Sequence, residues 1–348
     1  MEVITVRNVQ QALPIALELL DRKGRQSPSR NGPVMRMPVP VTTQYTHPKE
    51  RVIFWPLRDA NPFFHLFESL WMLAGRNDLA FPMKYAKNIA SYSDDGETIH
   101  GAYGHRWREH FGRDQIEAVI NLLQQDPNTR RAVICMWDPD ADGGIKLFQG
   151  KDVPCNLVVH FRRTGPALDM TVFCRSNDIV WGCYGANAVH FSILQEYVAS
   201  ALDAEVGFYW QISDDWHGYL NTIEPLKSIA EAAPSPYSTV THDPYVLGTV
   251  TTMNLMNTPL DVWDMDLKLF FADQNAYGFN DPFFSRIAKP MFFAHQAYKA
   301  RKYEDALKLL EQMPAGNDWR QACIEWVLRR NKKARAIADG GSQYDPVV

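Results

Sequence analysis

Two neighbouring strand-like segments place the strongest constraint on the fold. NLVVHFRR (156–163) and LDMTVFC (168–174) are rich in β-branched and aromatic residues and are separated only by the turn TGPA, which predicts an antiparallel pair. The second segment runs directly into the polar stretch CRSND, and a strongly apolar helix is predicted over 187–202. Polar groups crowded between a strand and a buried helix indicate a ligand-binding site.

The other segments predict an α+β fold built around a mixed sheet. PFFHLFESLWMLAGR is apolar on nearly all sides, begins at Pro62 and is stopped by Gly75, so it predicts a buried helix. Residues 24–50 are rich in Pro, Ser and Arg, which predicts loops or edge strands. The sequence contains no repeat of alternating strands and helices that would indicate a doubly wound sheet. Further helices are predicted over 5–22, over 114–125 and from 290 onward, and further strands in RRAVICMW and EVGFYWQIS.

The composition is typical of a soluble globular protein. Hydrophobic residues make up 46% of the 348 residues and the formal net charge is −4, which argues against nucleic-acid and membrane-surface binding. No apolar run reaches the ~18 residues of a membrane span, and the N-terminal stretch lacks a signal-peptide pattern. The five cysteines include no Cys-x-x-Cys pair, so we expect a reducing, cytoplasmic environment and no metal site.

Cys155 is the candidate nucleophile. It follows Pro154 at the start of a predicted strand, where reactive groups are often displayed, and nearby arginines would lower the pKa of its thiol. The alternative is an inert buried cysteine. A zinc-deaminase site is excluded, because Val158 stands where the second cysteine of the P-C-x-x-C motif belongs.

Four residues offer anion-binding chemistry. Arg130 and Arg131 form a tandem at the start of a predicted strand, and Arg175 and Ser176 follow two strands later. Guanidinium groups match the oxygens of a phosphate, whereas the ordinary alternative is a solvated basic pair. We interpret the set as a phosphate site whose surplus positive charge helps to activate the cysteine.

Three further positions in the sequence suggest a functional role, and a plain structural interpretation stands beside it. Burial of Glu68 in its apolar helix would raise the pKa of the carboxyl group and suit it to proton transfer, unless the side chain is paired or exposed. Asn187 opens the helix over 187–202, either as a helix cap or as a group that recognises a planar amide edge. His217 and Tyr219 follow a predicted strand and give a weak signal for a sugar-hydroxyl site.

Taken in order, these motifs resemble the thymidylate synthase family. The matches are FESLWMLAG, AYGHRW, DPNTRRAVICMW, VPC, CRSND, a glycine and an asparagine before a helix, and DDWHGYLN. They cover roughly residues 20–225, and their combination is far more specific than any one of them. The resemblance implies a mixed sheet surrounded by helices, and an obligate homodimer whose subunits pack sheet face against sheet face.

The resemblance also implies a role for each matching residue. Cys155 would be the nucleophile, Glu68 the proton-relay acid/base, and Tyr103 the active-site tyrosine beside the cysteine. Asp178 would complete the catalytic set by holding the folate pterin, and Asn187 would recognise the N3/O4 edge of the pyrimidine. The phosphate and ribose positions are Arg175 and Ser176 from the same subunit, Arg130 and Arg131 from across the dimer, Arg30 from the N-terminal loop, and His217 and Tyr219 at the 3′-hydroxyl.

The implied reaction uses 5,10-methylenetetrahydrofolate as co-substrate and no metal. The thiolate adds to C6 of a pyrimidine nucleoside monophosphate, and the resulting enolate takes up the one-carbon unit at C5. Loss of tetrahydrofolate leaves an exocyclic methylene that is still tethered to the cysteine. Hydride from the folate would yield a methyl group, whereas water would yield a hydroxymethyl group.

Departures from the family pattern favour water. Asn156 replaces the histidine that usually follows the nucleophile, and Asp152 replaces an apolar residue. The stretch KNIASYSDDGETIHG carries Tyr92 and no tryptophan, so apolar groups that would shield the methylene are missing. The interval GCYGAN is one residue longer than usual, and YDPVV is a poor match to the usual folate-covering tail.

We therefore expect 5-hydroxymethylation, of dUMP first and of dCMP or CMP as alternatives, with methylation of dUMP to dTMP as the second candidate reaction. A non-catalytic nucleotide- or RNA-binding relative is the alternative from another class, and the presence of both Cys155 and Glu68 argues against it. We expect residues 1–290 to form the catalytic domain and 291–348 a divergent helical extension. The expected location is the cytoplasm, or the host cytoplasm if a phage encodes the chain.

Overall fold

The computed structural model describes residues 1–143, 150–233 and 242–338. Its strands are β1 (Glu2–Val6), β2 (Arg25–Ser27), β3 (Val34–Arg36), β4 (Val41–Tyr45), β5 (Val133–Cys135), β6 (Asn156–Thr164), β7 (Ala167–Asp178) and β8 (Glu205–Tyr219). Its α-helices are α1 (Val9–Lys23), α2 (Pro62–Leu73), α3 (Tyr103–Arg108), α4 (Gln115–Gln125), α5 (Pro139–Asp142), α6 (Asn187–Ala201), α7 (Leu220–Ile223), α8 (Leu260–Ala272), α9 (Lys289–Lys299), α10 (Tyr303–Leu310) and α11 (Asp318–Ala338).

The strands form one mixed sheet in the order β1-β4-β8-β7-β6-β5, with β3 attached to β8 and β2 to β3. β1 and β4 are parallel, as are β7 and β8, and the other neighbours are antiparallel. β6 and β7 are the antiparallel pair that the turn TGPA predicted. The predicted α+β fold with a large mixed sheet is therefore confirmed.

The two faces of the sheet differ sharply. Val159 and Phe161 of β6 and Met170 and Val172 of β7 point to the inner face and are fully buried. Burying one such side chain stabilises the fold by about 1.5–3 kcal/mol. On the outer face, Phe173 is 40% exposed and Val133 37% exposed. Phe208 of β8 is 42% exposed on the same face, so three large apolar side chains are exposed there.

Helices α2 and α6 pack on each other and form the apolar layer of the active-site side. Asn61 caps α2, because its side-chain oxygen accepts a hydrogen bond from the Phe64 backbone N–H at 3.1 Å. Pro62 occupies the first turn, and Gly75 follows the helix with a φ of +70°, which suits glycine. The predicted bounds of this buried helix are confirmed.

The N-terminal prediction was partly wrong. The helix predicted over residues 5–22 begins only at Val9, since residues 2–6 form β1 and pair with β4 in parallel. β4 in turn lies between β1 and β8, so this part of the segment 24–50 is an interior strand of the sheet and neither a loop nor an edge strand. Both errors come from pairing between segments that lie far apart in the sequence.

The C-terminal helices pack behind α2. Phe63 of α2 contacts the rings of His295 at 5.2 Å and Trp326 at 5.5 Å between centroids, and Arg330 forms an ion pair with Asp59 at 2.7 Å. The boundary proposed at residue 290 falls inside α9, and the division into two domains stays a prediction. The tail YDPVV lies outside the described residues. Among the described helices, none is long and apolar enough to cross a membrane.

Candidate active site

Cys155 stands at the junction between a loop and β6. Its carbonyl oxygen accepts a hydrogen bond from the Arg175 backbone N–H on β7 at 2.9 Å. The hydroxyl oxygen of Tyr103, on α3, accepts hydrogen bonds from the backbone N–H groups of Cys155 at 3.2 Å and Asn156 at 3.3 Å. Tyr103 therefore lies beside the cysteine, as the sequence predicted, and it holds the backbone of the nucleophile.

The thiol of Cys155 is only partly exposed, and its surroundings act on its pKa in opposite directions. Burial raises the pKa of the thiol and Asp152 adds to this effect, whereas Arg175 and Arg30 lower it. The guanidinium Nη2 of Arg175 lies 3.9 Å from Sγ. Because burial is the largest effect, the free protein holds the thiol, and the arginine is the group positioned to stabilise the thiolate.

Glu68 points from α2 into the site and keeps 14% of its side chain exposed. Burial and the nearby Asp152 raise the pKa of its carboxyl group to about 8. Its Oε2 lies 3.2 Å from Nε2 of His190, whose pKa burial lowers to about 3. At neutral pH the two groups are a carboxylic acid and a neutral imidazole, so Glu68 has the protonation state of a general acid.

Asn187 begins α6, but its side chain does not cap the helix. Its Oδ1 accepts a hydrogen bond from Asn156 Nδ2 at 3.0 Å, and its Nδ2 donates to Asn177 Oδ1 at 3.1 Å. Asn177 Nδ2 in turn donates to Ser213 Oγ at 2.9 Å. This chain of buried amides fixes the orientation of Asn187, and the capping interpretation is wrong. Asn156, noted only as a departure from the family pattern, is part of the chain.

The segment GCYGAN contains a break in the helical backbone just before Asn187. The π-helical segment Ile179–Ala186 leaves helical geometry at Tyr184 and Gly185. A Cβ atom on Gly182 would lie 2.6 Å from Asn177 Oδ1, closer than real Cβ contacts allow. Glycine at position 182 is thus required for the amide chain to close beside Asn187.

Asp178 ends β7 and caps the segment that follows. Its Oδ2 accepts a hydrogen bond from the Trp181 backbone N–H at 2.6 Å, and the backbone N–H of Tyr219 also faces this carboxylate. Burial raises the pKa of this carboxyl group. A carboxylate accepts several hydrogen bonds, so Asp178 can also receive N–H groups of a ligand, as a pterin would supply.

The parallel pairing of β7 and β8 brings the sugar-site candidates next to Asp178. Asp178 is the register partner of His217, and Ser176 is the partner of Asp215. The ring of His217 packs edge-on against Tyr219 with 5.5 Å between centroids, and its Nδ1 lies 3.3 Å from the Asp215 carboxylate. The structure therefore brings these residues to the end of the sheet that carries Arg175.

The remaining arginines are distributed differently. Arg30 is exposed and donates to the carbonyl of Lys151 at 3.4 Å, near the nucleophile. Arg130 and Arg131 are exposed and make no side-chain hydrogen bond or ion pair with the described residues. They precede Ala132, whose carbonyl accepts from the Phe161 backbone N–H, so they lie beyond the point on β6 that is six residues from position 155. At ~3.3 Å per residue that separation is roughly 20 Å or more, so the structure does not bring these arginines into the group around Cys155.

The loop side of the pocket is polar. Asp152 Oδ2 accepts a hydrogen bond from the Gly101 backbone N–H at 2.8 Å, and the pKa of this carboxyl is raised by burial. Tyr92, in the 3-10 turn Lys87–Tyr92, is 45% exposed. Asp152 and Tyr92 both depart from the family pattern in a way that predicts a less shielded site. Asp152 is hydrogen-bonded to the backbone, and Tyr92 is accessible to solvent.

The comparisons with known proteins give the class of this protein. The family model for thymidylate synthase matches residues 20–257, and the chain belongs to the thymidylate synthase family. The predicted family and the predicted enzyme class, a one-carbon transferase, are confirmed. No group of three or more His, Cys, Asp or Glu side chains that could hold a metal occurs among the described residues.

Individual relatives refine this assignment. The chain is 49% identical to the deoxyuridylate hydroxymethyltransferase of Pseudomonas phage M6 over 351 aligned residues. The alignment spans 98% of the chain and 99% of that protein. The deoxyuridylate hydroxymethyltransferase of Bacillus phage SP01 is 40% identical over 192 residues, 52% of the chain and 50% of that protein. The putative thymidylate synthase of Methanothermobacter marburgensis is 36% identical over 146 residues, 42% of the chain and 62% of that protein.

Proposed function

We propose that the protein transfers a hydroxymethyl group to C5 of dUMP, with 5,10-methylenetetrahydrofolate as the one-carbon donor. The observation that carries the proposal is the pair of carboxyl groups, Glu68 and Asp152, on the loop and helix side of Cys155. A polar wall admits and orients water, which the hydroxymethyl product requires. The full-length similarity to a phage deoxyuridylate hydroxymethyltransferase supports the same choice.

In this proposal, Cys155 adds to C6 of the pyrimidine and Arg175 stabilises its thiolate. Tyr103 keeps the cysteine backbone in place, and Glu68 exchanges a proton with the O4 side of the ring. Methylenetetrahydrofolate supplies an electrophilic one-carbon unit at the oxidation level of formaldehyde. The carboxylate of Asp178, at the end of β7, would bind the pterin of this co-substrate.

The same proposal assigns the nucleotide contacts. Asn187 would recognise the N3–H and O4 of uracil with the amide face that its neighbours leave free. His217 and Tyr219 would hold the ribose 3′-hydroxyl. Arg175 and Ser176 would bind the phosphate from within the subunit, with Arg30 closing over it, and Arg130 and Arg131 would bind it from the partner subunit.

This division of the phosphate contacts between two subunits requires a homodimer, and we propose that the subunits pack through their outer sheet faces. The apolar outer face carries Phe173, Val133 and Phe208, each at least 37% exposed, and sheet faces of this kind are buried in stable interfaces. Arg130 and Arg131 lie just before β5, the strand that carries Val133 on this face, and roughly 20 Å or more from Cys155 of their own subunit by strand spacing. A second copy packed on the face is the arrangement that gives these arginines a phosphate to bind.

One assay tests the proposal. The protein is incubated with methylenetetrahydrofolate and, in parallel, with dUMP, dCMP or CMP, and the nucleotide product is identified by mass. We expect hydroxymethyl-dUMP together with tetrahydrofolate. Thymidylate with dihydrofolate, detected by its absorbance, would assign the alternative methylation reaction, and a faster reaction with dCMP or CMP would correct the base or sugar.

The non-catalytic alternative makes a different prediction, since it requires no turnover with any nucleotide. It also predicts that Cys155→Ser leaves the cellular role of the protein unchanged. We propose the cytoplasm as the place of action, or the host cytoplasm if a phage encodes the chain.

A further inference from the structure

A histidine that no sequence motif singled out lies directly behind the proposed acid/base. His190 is on the first turn of α6, three residues after Asn187, and is 4% exposed. Its Nε2 lies 3.2 Å from Glu68 Oε2 but is not aligned as a hydrogen bond, and it has no other hydrogen-bond partner in the described part of the chain. Leaving a buried polar atom unpaired costs about 1–3 kcal/mol, so this nitrogen needs a partner in some state of the protein.

The surroundings of His190 leave Glu68 as that partner. His65, one turn before Glu68 on α2, presents its ring edge-on with 6.3 Å between ring centroids, too far for a hydrogen bond to His190. After burial, Asp152 is the second group that raises the pKa of the Glu68 carboxyl, so its effect is to keep that carboxyl protonated. Among the described residues, the carboxyl group that lies against His190 Nε2 is therefore that of Glu68.

The proposed reaction contains one step that needs Glu68 in its ionised form, which it reaches once its proton has passed to the folate nitrogen that leaves with the electron pair of the broken C–N bond. When water adds to the exocyclic methylene, a C–O bond forms and one O–H proton must pass to a base. The electron pair moves through C5 to the C4 carbonyl oxygen, and it returns to form the C5–C6 double bond as the Cys155 thiolate leaves. A buried carboxylate can accept that proton only if an N–H donor offsets the loss of its hydration.

We propose that His190 is a positioning residue for hydration: its Nε2–H aligns with Glu68 and holds the carboxylate that takes the proton of the attacking water. The inference rests on the proposed 5-hydroxymethylation. It adds a residue that governs how the methylene is partitioned between water and other acceptors, and it gives the unpaired ring nitrogen a function.

The test compares His190→Leu with His190→Gln in the full-length enzyme. With dUMP tritiated at C5, tritium release reports formation of the methylene, and hydroxymethyl-dUMP reports its hydration. Added 2-mercaptoethanol captures methylene that water has not consumed. We expect the ratio of hydroxymethyl product to released tritium to fall about tenfold in His190→Leu, because one hydrogen bond is lost, with the difference recovered as thiol adduct. His190→Gln keeps an N–H donor and should stay near the wild-type ratio.

A wild-type ratio in His190→Leu would overturn the proposal, as would an equal loss in His190→Gln. If His190→Leu does not fold, His190→Asn replaces it, since its amide is too short to reach Glu68 and the same loss is expected. A wild-type enzyme that releases tritium but forms no hydroxymethyl nucleotide would instead refute the proposed function, so the two failures are distinguishable.

Discussion

The base end and the phosphate end of the proposed nucleotide site are built differently. At the base end, Asn187 is 7% exposed and its amide is bound on both sides, by Asn156 and by Asn177. At the phosphate end, Arg130 and Arg131 are exposed and have no side-chain partner among the described residues. The base end is thus fixed before any ligand binds, whereas the phosphate end requires a ligand and, in our proposal, a second subunit.

This difference shows where specificity and affinity come from. A preorganised amide loses little entropy on binding and rejects a base whose hydrogen-bonding pattern does not match, because mismatched buried groups stay unpaired. Exposed guanidinium groups add attraction for a phosphate without selecting the base. Variants at the base end should therefore change which nucleotide reacts, and variants at the phosphate end should change how much nucleotide is needed.

The largest expected effect comes from Cys155→Ala, which removes the nucleophile but leaves both ends of the site. Turnover should fall by roughly 10⁴-fold or more, while dUMP still binds. Isothermal titration with dUMP and a turnover assay check the two statements together. Cys135→Ala is the matched control, because this cysteine is exposed on β5, and it should keep full turnover. Equal turnover in wild type and Cys155→Ala would remove the nucleophile assignment.

Glu68→Gln should lower turnover by roughly 10²–10⁴-fold, since an amide cannot exchange the proton. The substitution should also change how stability depends on pH. The folded-state pKa of about 8 lies above the ordinary value of 4.5, so folded Glu68 keeps a proton that the unfolded chain has lost between these values. The stabilisation is complete below pH 4.5 and is lost as the pH rises toward 8, by up to about 1.4 kcal/mol per pH unit.

Urea unfolding at pH 5.5 and pH 7.5 measures this dependence. The wild type should lose about 2 kcal/mol more than Glu68→Gln over this interval. Parallel pH dependences in the two forms would show that the Glu68 carboxyl titrates near its ordinary value, and would remove the physical basis for its role as an acid.

Asn187→Asp should reverse the hydrogen-bonding pattern of the base end. A carboxylate only accepts hydrogen bonds, so it can receive the amino group of cytosine but cannot donate to O4 of uracil. The preference should shift toward dCMP by roughly 1–3 kcal/mol, measured as the ratio of kcat/KM for dCMP and dUMP. The exposed Asn128→Asp is the control with the same chemical change, and it should leave the ratio unaltered. An unchanged ratio in Asn187→Asp would mean that another group selects the base.

Arg131→Ala should have the smallest effect, a roughly tenfold rise in KM for dUMP with little change in kcat. The sharper form of the experiment mixes this variant with Cys155→Ala. In a mixed dimer, the subunit that keeps its cysteine receives a complete arginine pair from its partner, so random exchange should restore about a quarter of the wild-type activity at low dUMP. Activity that does not rise on mixing would place the arginines outside the partner's site.

The sequence predicted those parts of the molecule that depend on local patterns. The buried helices α2 and α6 and the pair β6–β7 lie where their apolar residues and turns indicated. β1 was not predicted, because a strand of five residues is defined here by its parallel partner β4 and not by its own pattern. His190 was missed for a similar reason, since its contact with Glu68 joins two helices that are distant in the sequence. The roles of the site residues remain predictions, although the structure places most of them around Cys155.

The packing of α11 behind α2 has a consequence for biosynthesis. Trp326 fills the space next to Phe63, and Arg330 pairs with Asp59 just before α2, the helix that carries Glu68. Residues 318–338 leave the ribosome after every other described element, so the nascent chain has its sheet and nucleophile long before its acid/base helix is supported. A polypeptide interrupted before α11 would therefore present an apolar face of α2 to chaperones and proteases, and α2 would be supported only after α11 has been made.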